Sequence, residues 1–480
     1  MSSNKSYQAD KFYINGKWVE PASLARIGVV NPATGEVFTS IAAGNATDID
    51  RAVRAAKQAF PAFSRTTREQ RVELLQRVYE IYERRKLEIA QVLIEECGFP
   101  RALAEGSQVG LGSGHLAKTI EVLKTFPFTE LRGTTLVARE AAGVIGAITP
   151  WNWPINQIVC KIAPALAAGA TLVLKPSELS PLNALIIAEI FDEAGVPPGV
   201  FNLVNGDGLN AGAALASHPD VDVISFTGST RAGTAIAKAA ADSVKRVHQE
   251  LGGKSPFIIL PNSNLRKAVT DGVLGSFLNV GQTCTAPTRL LVPREKLKEV
   301  EEIATEVANS QRVGLPTEEG VTLGPLISDA QKAKVQRLIK SGIDEGAKLL
   351  AGGLGAPEGL EQGYFVRPTV FSQVTSKHTI YHEEIFGPVQ SIIAYDDVNH
   401  AIQIANDTPY GLAGYVHGND LEQVRDVASQ IRAGVIYLNS PQWDYGAPFG
   451  GYKTSGNGRE YADFAIHDFT EIKGVVGYQV

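Results

Sequence analysis

The chain has 480 residues, with 45 Lys plus Arg against 51 Asp plus Glu and a formal net charge of -6. That length divides into two or three domains rather than one core, and the mild acidity excludes a global attraction for nucleic acid or an anionic membrane. The cysteines are Cys97, Cys160 and Cys284, without CxxC spacing. This excludes a disulfide framework and points to a reducing, cytoplasmic setting.

Residues 1–10 are polar and carry no apolar run behind a basic start, so they resemble neither a signal peptide nor an anchor. Residues 12–19 alternate around Asn15-Gly16, a strong hairpin signal. Helical periodicity follows over about 46–60 and 68–96; the basic run Arg84-Arg85-Lys86 lies among Glu80, Glu83 and Glu88 and reads as a solvated helix face. The apolar stretch 141–174 is broken by Pro150, Pro154, Lys161 and Pro164, so it lacks the roughly 20 uninterrupted apolar residues of a membrane span. From residue 141 short apolar runs alternate with helices, the pattern of βαβ units on a mostly parallel sheet, with strands at about 143–149, 170–174, 200–205 and 221–226. Ser180 is placed as an N-cap, Pro181 at the first helical position, and Gly195 as the stop of the helix 182–194. A second alternating region has strands near 256–260, 287–292, 389–395 and 434–438, with helices near 264–278, 295–310, 328–345 and 420–431.

Several motifs carry chemistry. Gly206 to Gly212, with Gly208 inside it, follows a strand but has one residue too many for a GxGxxG fingerprint. Phe226-Thr227-Gly228-Ser229 lies where a strand ends and a helix begins, so unpaired amides and the helix dipole favour an anion; a capped helix that binds nothing reads the same way. Pro150-Trp151-Asn152-Trp153-Pro154 stands at the carboxyl edge of a buried strand, where ligands of parallel sheets bind, although packing alone could place the tryptophans. Gly281-Gln282-Thr283-Cys284-Thr285 sets a cysteine among hydroxyl residues after a glycine turn, a setting for a nucleophile or for an inert thiol. Glu250-Leu251-Gly252-Gly253 puts a carboxylate at a strand end, suited to a general base or to a surface turn. His378 and His382 form no metal motif, and no metal site is expected.

Taken together and in this order, Asn152, Lys175-Pro176-Ser177-Glu178, Gly228-Ser229, Glu250 to Gly253, Cys284, Glu384-Ile385-Phe386-Gly387-Pro388 and Pro448-Phe449-Gly450-Gly451 resemble the aldehyde dehydrogenase superfamily over nearly the whole chain. The resemblance implies an α/β fold: a Rossmann-like cofactor domain (1–121 and 141–252), an α/β catalytic domain (253–453) and a small β oligomerisation flap (122–140 and 469–480). It implies NAD, or NADP, as cofactor, an aldehyde as substrate, and a homo-oligomer, a tetramer over a dimer, in which the two flap segments pair across subunits. Cys284 would be the nucleophile, Asn152 the oxyanion donor, Glu250 the base for thioester hydrolysis, and Lys161 with Glu460 a polar pair passing protons to bulk water. Trp151, Lys175, Ser177, Glu178, Gly208, Phe226, Gly228, Ser229, Leu251, Gly252, Glu384 and Phe386 would hold the dinucleotide. Trp153, Gln157, Cys160, Trp443 and Phe449 would line the substrate tunnel. Departures are few: Phe99 stands where Lys is common, and Trp153 where Phe is frequent. A cysteine hydrolase would want a His base, and no His motif pairs with Cys284. A non-catalytic protein on this fold would be expected to have lost Cys284 or Glu250.

Overall fold

Asn15 and Gly16 both adopt positive φ, 54° and 72°, which closes the expected hairpin between Phe12–Ile14 and Lys17–Val19. The computed structural model describes residues 8–479, so the first seven residues of the polar N-terminal segment lie outside the described residues. The hairpin forms one edge of an eight-stranded sheet. Next come Phe201–Leu203, Thr171–Lys175, Val144–Ile148, Val223–Thr227 and Arg246–Glu250, mutually parallel, and the short antiparallel strand Gly456–Asn457 closes the far edge. Every residue of Val144–Ile148, Thr171–Lys175 and Val223–Thr227 is buried, as expected for parallel strands covered by helices on both faces.

The second sheet has seven strands in the order Lys348–Ala351, Thr369–Ser372, Val389–Tyr395, Arg289–Pro293, Pro256–Ile259, Ala413–His417 and Val435–Leu438, parallel except for the first pair. The expected strands and helices of both regions are present. Lys348–Ala351, Thr369–Ser372 and Ala413–His417 were not legible, because runs of four or five residues show no period of their own, nor was the nine-residue helix Val398–Asn406.

Two expectations are corrected. The segments 122–140 and 469–478 are not left to find partners on another subunit: Thr470–Val475 pairs antiparallel with Thr135–Ala141 of the same chain, which pairs in turn with Thr129–Arg132. The helix Leu182–Glu193 is not capped by Ser180 either. Its first amides, Leu182 N and Asn183 N, donate to the Glu96 carboxylate at 2.8 and 3.2 Å, a buried cap delivered from the helix Arg68–Cys97. At the other end Gly195, at φ +73°, closes the helix as expected. Among the described residues no helix is long and apolar enough to cross a membrane, and no group of His, Cys, Asp and Glu could hold a metal ion.

Candidate active site

The helix Pro154–Ala168 begins with proline and is buried along its whole length between the first sheet and the rest of the molecule. Its N-terminus follows the strand Val144–Ile148, which places Asn152 at the sheet's carboxyl edge, 5 % exposed. Asn152 Nδ2 donates one hydrogen to Gln282 O at 3.1 Å, leaving the second free. Its backbone carbonyl accepts from Asn279 Nδ2 and Gln108 Nε2, at 2.8 and 3.2 Å. Asn279 and Gln108 were not legible as site residues: one lies beyond a helix end, the other in a π-helical turn, Ala104–Gln108.

Cys284 arrives from the second sheet's side on a loop that starts with three left-handed residues, Asn279, Val280 and Gly281, at φ 56°, 57° and 70°. A β-branched residue in that region is costly, so the turn is held by its surroundings. A Cβ on Gly281 would strike Gly387 O, and one on Gly253 would strike Cys284 O. Glycine therefore lets Glu250–Gly253, the Cys284 loop and Glu384–Pro388 meet backbone to backbone. Gly253 N donates to Glu384 Oε1 at 2.9 Å, tying the third of these segments to the first.

Cys284 is partly exposed at the wall of a cavity of about 700 Å³. Trp153, Gln157, Trp443 and Phe449 line it, and so do Tyr415, Tyr437, Tyr445 and Tyr461, which the sequence did not single out. Trp153 Nε1 donates to Thr283 Oγ1 at 3.1 Å, so its ring is fixed as a wall. Cys160 departs from the expectation. It does not line the cavity but packs behind Phe449 and Tyr461, and its Sγ donates to Glu460 Oε2 at 3.2 Å. Lys161 forms an ion pair with Glu460, and the two side chains are 0 and 2 % exposed.

Carboxylates dominate the field at the thiol. Burial pushes the Cys284 thiol well above its ordinary range, and the charges of Glu250, Glu384 and Glu460 push it the same way. Glu250 ends the strand Arg246–Glu250, and its Oε2 is buried without a hydrogen-bond partner. Burial raises the Glu250 carboxyl to about 7, with His248 and Lys161 opposing the rise and Glu460 adding to it. His248 Nε2 lies 3.2 Å from Glu250 Oε1. The period of two along a strand, which puts residues 248 and 250 on one side, could have found this contact.

Of the residues expected to hold a dinucleotide, Trp151, Lys175, Ser177, Glu178, Gly208, Gly228 and Ser229 lie at or beyond the carboxyl ends of strands of the first sheet. Lys175, buried, donates to Gly206 O at 2.6 Å and pairs with Glu178 at 3.4 Å. Ser177 Oγ accepts from Leu179 N. Ser229 accepts from Ala232 N at 3.3 Å and caps the helix Thr230–Ala240, so its hydroxyl hydrogen stays available. Gly208 opens a short π-helical turn whose Asp207 side chain caps Asn210 N. Phe226 and Leu251 are buried in an apolar cluster, the Phe226 ring against Gly228 and the Leu251 side chain against Gly233. Trp151 meets Phe386 edge-on, ring centroids 5.5 Å apart. A helix N-terminus, the Lys175–Glu178 pair and Glu384 at the junction of the sheets fit a dinucleotide laid across a parallel-sheet edge.

Fold and site thus fit the class of dinucleotide-linked oxidoreductases, with Cys284 at the wall of the cavity. The comparisons narrow the class. The profile of the "Aldehyde dehydrogenase family" matches residues 18–475. A 3-succinoylsemialdehyde-pyridine dehydrogenase of a Pseudomonas species is 53 % identical over 470 residues, covering 98 % of both chains. Among solved structures, a cysteine-to-alanine variant of aldehyde dehydrogenase C from Pseudomonas syringae, complexed with NAD+ and octanal, is 52 % identical, with a TM-score of 0.98 over 99 % of this chain and 98 % of its own. A Mycobacterium tuberculosis aldehyde dehydrogenase complexed with NAD+ is 41 % identical, with a TM-score of 0.95 over 98 % of this chain and 99 % of its own. The chain belongs to the aldehyde dehydrogenase family.

Proposed function

We propose that the protein oxidises an uncharged aldehyde, aromatic or medium-chain aliphatic, to the carboxylic acid with NAD+. The observation that carries this reading is Cys284 at the wall of an aromatic cavity in which Trp153, Tyr415, Tyr437, Trp443, Phe449 and Tyr461 leave no Arg or Lys to pair with a substrate anion. The relatives agree in chemistry: one is named for a pyridine-bearing semialdehyde, another holds octanal.

In this mechanism Cys284 loses its proton to solvent, and Sγ as the thiolate adds to the aldehyde carbon. The oxyanion is held by the free Nδ2 hydrogen of Asn152 and the backbone N–H of Cys284, preorganised donors worth about 3 to 4 kcal/mol each. NAD+, when bound, supplies the acceptor for the hydride. Collapse leaves a thioester on Cys284. Glu250 then takes a proton from water, hydroxide adds to the thioester carbon, the C–S bond breaks, and the acid leaves. Lys161 and Glu460 serve the same base as a buried relay, and Trp443 and Phe449 wall the substrate.

Glu178, beside the expected adenosine ribose, would repel a 2′-phosphate, so NAD+ is preferred modestly over NADP+. The flap strands support a homo-oligomer, a tetramer over a dimer, and three free cysteines suit a reducing cytoplasm. An assay of aldehydes of varied size and charge, followed by NADH or NADPH formation, tests the reading. Higher kcat/KM for uncharged aromatic or medium aliphatic aldehydes with NAD+ is expected; a tenfold advantage for a phosphorylated or dicarboxylic semialdehyde overturns the substrate class, and equal efficiency with NADP+ overturns the cofactor preference.

A further inference from the structure

Glu250 does not stand alone on its strand. His248, two residues earlier on Arg246–Glu250, turns to the same side, and its ring bridges two carboxylates. Nε2 lies within hydrogen-bond distance of Glu250 Oε1, at 3.2 Å, and Nδ1 lies 2.9 Å from Asp468 Oδ2, an ion-pair contact not aligned as a hydrogen bond. Asp468 is itself fixed, since its Oδ2 accepts from the backbone N–H of Arg459 at 2.8 Å. A Cβ on Gly458 would lie 2.7 Å from the His248 ring, so glycine lets the segment leading to Glu460 close over the imidazole. The three side chains step outward: Glu250 is 2 % exposed, His248 6 % and Asp468 30 %.

We propose that His248, anchored by Asp468, is a positioning residue for thioester hydrolysis: it holds Oε1 of Glu250, leaves Oε2 to take the proton from water, and by its positive charge favours the carboxylate form of the base. The proposal rests on the reading of Glu250 as that base.

The surrounding charges support the arrangement. Burial disfavours a charged His248, but the contacts with Asp468 and Glu250 and the charge of Glu460 outweigh it and raise the imidazole to about 9. Asp468 is held below its ordinary range: burial opposes this, but His248, the Arg459 N–H and Arg246 prevail. At Glu250 the charged neighbours are His248 and Lys161, which favour ionisation, and Glu460, which opposes it. Removing the imidazolium therefore makes Glu250 harder to ionise. Hydrolysis should weaken most at acid pH and recover at alkaline pH, where the carboxyl ionises regardless.

The test is acyl-enzyme decay in single turnover, followed by intact-protein mass after acid quench, in wild type, His248→Gln, Asp468→Asn and Glu250→Gln across pH. Gln keeps a neutral donor near Glu250 and removes the charge. In His248→Gln the acid limb of decay should move up by about one pH unit. That is a loss of about tenfold near pH 6 and less than about twofold near pH 9.5, with the amplitude of NADH formation retained. Asp468→Asn, at a partly exposed position, should shift the limb in the same direction by less. A uniform loss at every pH, or an unmoved limb in both variants that fold, overturns the positioning role. If His248→Gln does not fold, Asp468→Asn alone decides. Unchanged decay in Glu250→Gln identifies a failure of the underlying base assignment instead.

Discussion

Burial and the charges of three carboxylates disfavour the thiolate of Cys284, so as a nucleophile the thiol would depend on a proton acceptor or on the bound cofactor. Glu250 has the placement for the later step, a buried carboxyl with one oxygen held and one unpaired. If the roles are divided as proposed, the two halves of the reaction separate by substitution. Glu250→Gln should retain a burst of NADH approaching one equivalent per active subunit, then turn over at least about a hundredfold more slowly, while Cys284→Ala loses burst and turnover together. Stopped-flow absorbance reads both. Full steady-state activity in Glu250→Gln, or a burst in Cys284→Ala, removes these residues from their roles.

The loop Asn279–Gly281 decides where the thiol stands. Three consecutive left-handed residues are costly, and they persist because the turn is clamped: Gln282 Oε1 accepts from Ile327 N at 3.0 Å, Asn279 Nδ2 reaches Asn152 O, and Gly281 rests against Gly387. Gly281→Ala puts a methyl group into a backbone carbonyl at φ +70°, so the loop must shift, and a displacement near 1 Å can cost about a hundredfold in rate. We expect kcat to fall by at least about that factor while far-ultraviolet circular dichroism stays unchanged; wild-type kcat in a folded Gly281→Ala protein would show that the turn tolerates the shift. The cap on Leu182–Glu193 makes the same point about elements. Ser180-Pro181 has the local form of a helix start, yet the amides are met by Glu96, whose carboxyl burial raises to about 7 despite the donors from Leu182 and Asn183.

At the scale of the molecule, the site exists only where two sheets meet. Asn152 and Glu250 come from the first, Cys284 and Glu384 from the second, and the C-terminal segment returns to add Gly456–Asn457 to the first sheet and to deliver Glu460 and Asp468. The flap strand Thr470–Val475 lies at an edge of its three-stranded sheet, and Ile472 and Val476 are 65 and 83 % exposed. Exposed apolar groups beside an open strand edge suit an interface between copies of the chain. Light scattering at micromolar concentration should give a multiple of 51.3 kDa, and Ile472→Glu with Val476→Glu should lower it. A monomeric wild type rules out the oligomer.

The sequence by itself determined the two α/β regions, the hairpin at Asn15-Gly16 and the candidate nucleophile, base and oxyanion donor, because these depend on local periodicity, on turn chemistry and on motifs read in order along the chain. It placed Cys160 in the tunnel wall and left the flap strands without partners in their own chain; the structure turns the thiol toward Glu460 and pairs Thr470–Val475 with Thr135–Ala141. It was silent on Asn279, Gln108 and Asp468. Their importance lies in contacts across separations of 127, 44 and 220 residues, to Asn152 and His248, and no local pattern encodes such a contact. Tertiary structure alone decided these points, since strand pairing, burial of a charge and the direction of a side chain depend on what the rest of the chain packs against them.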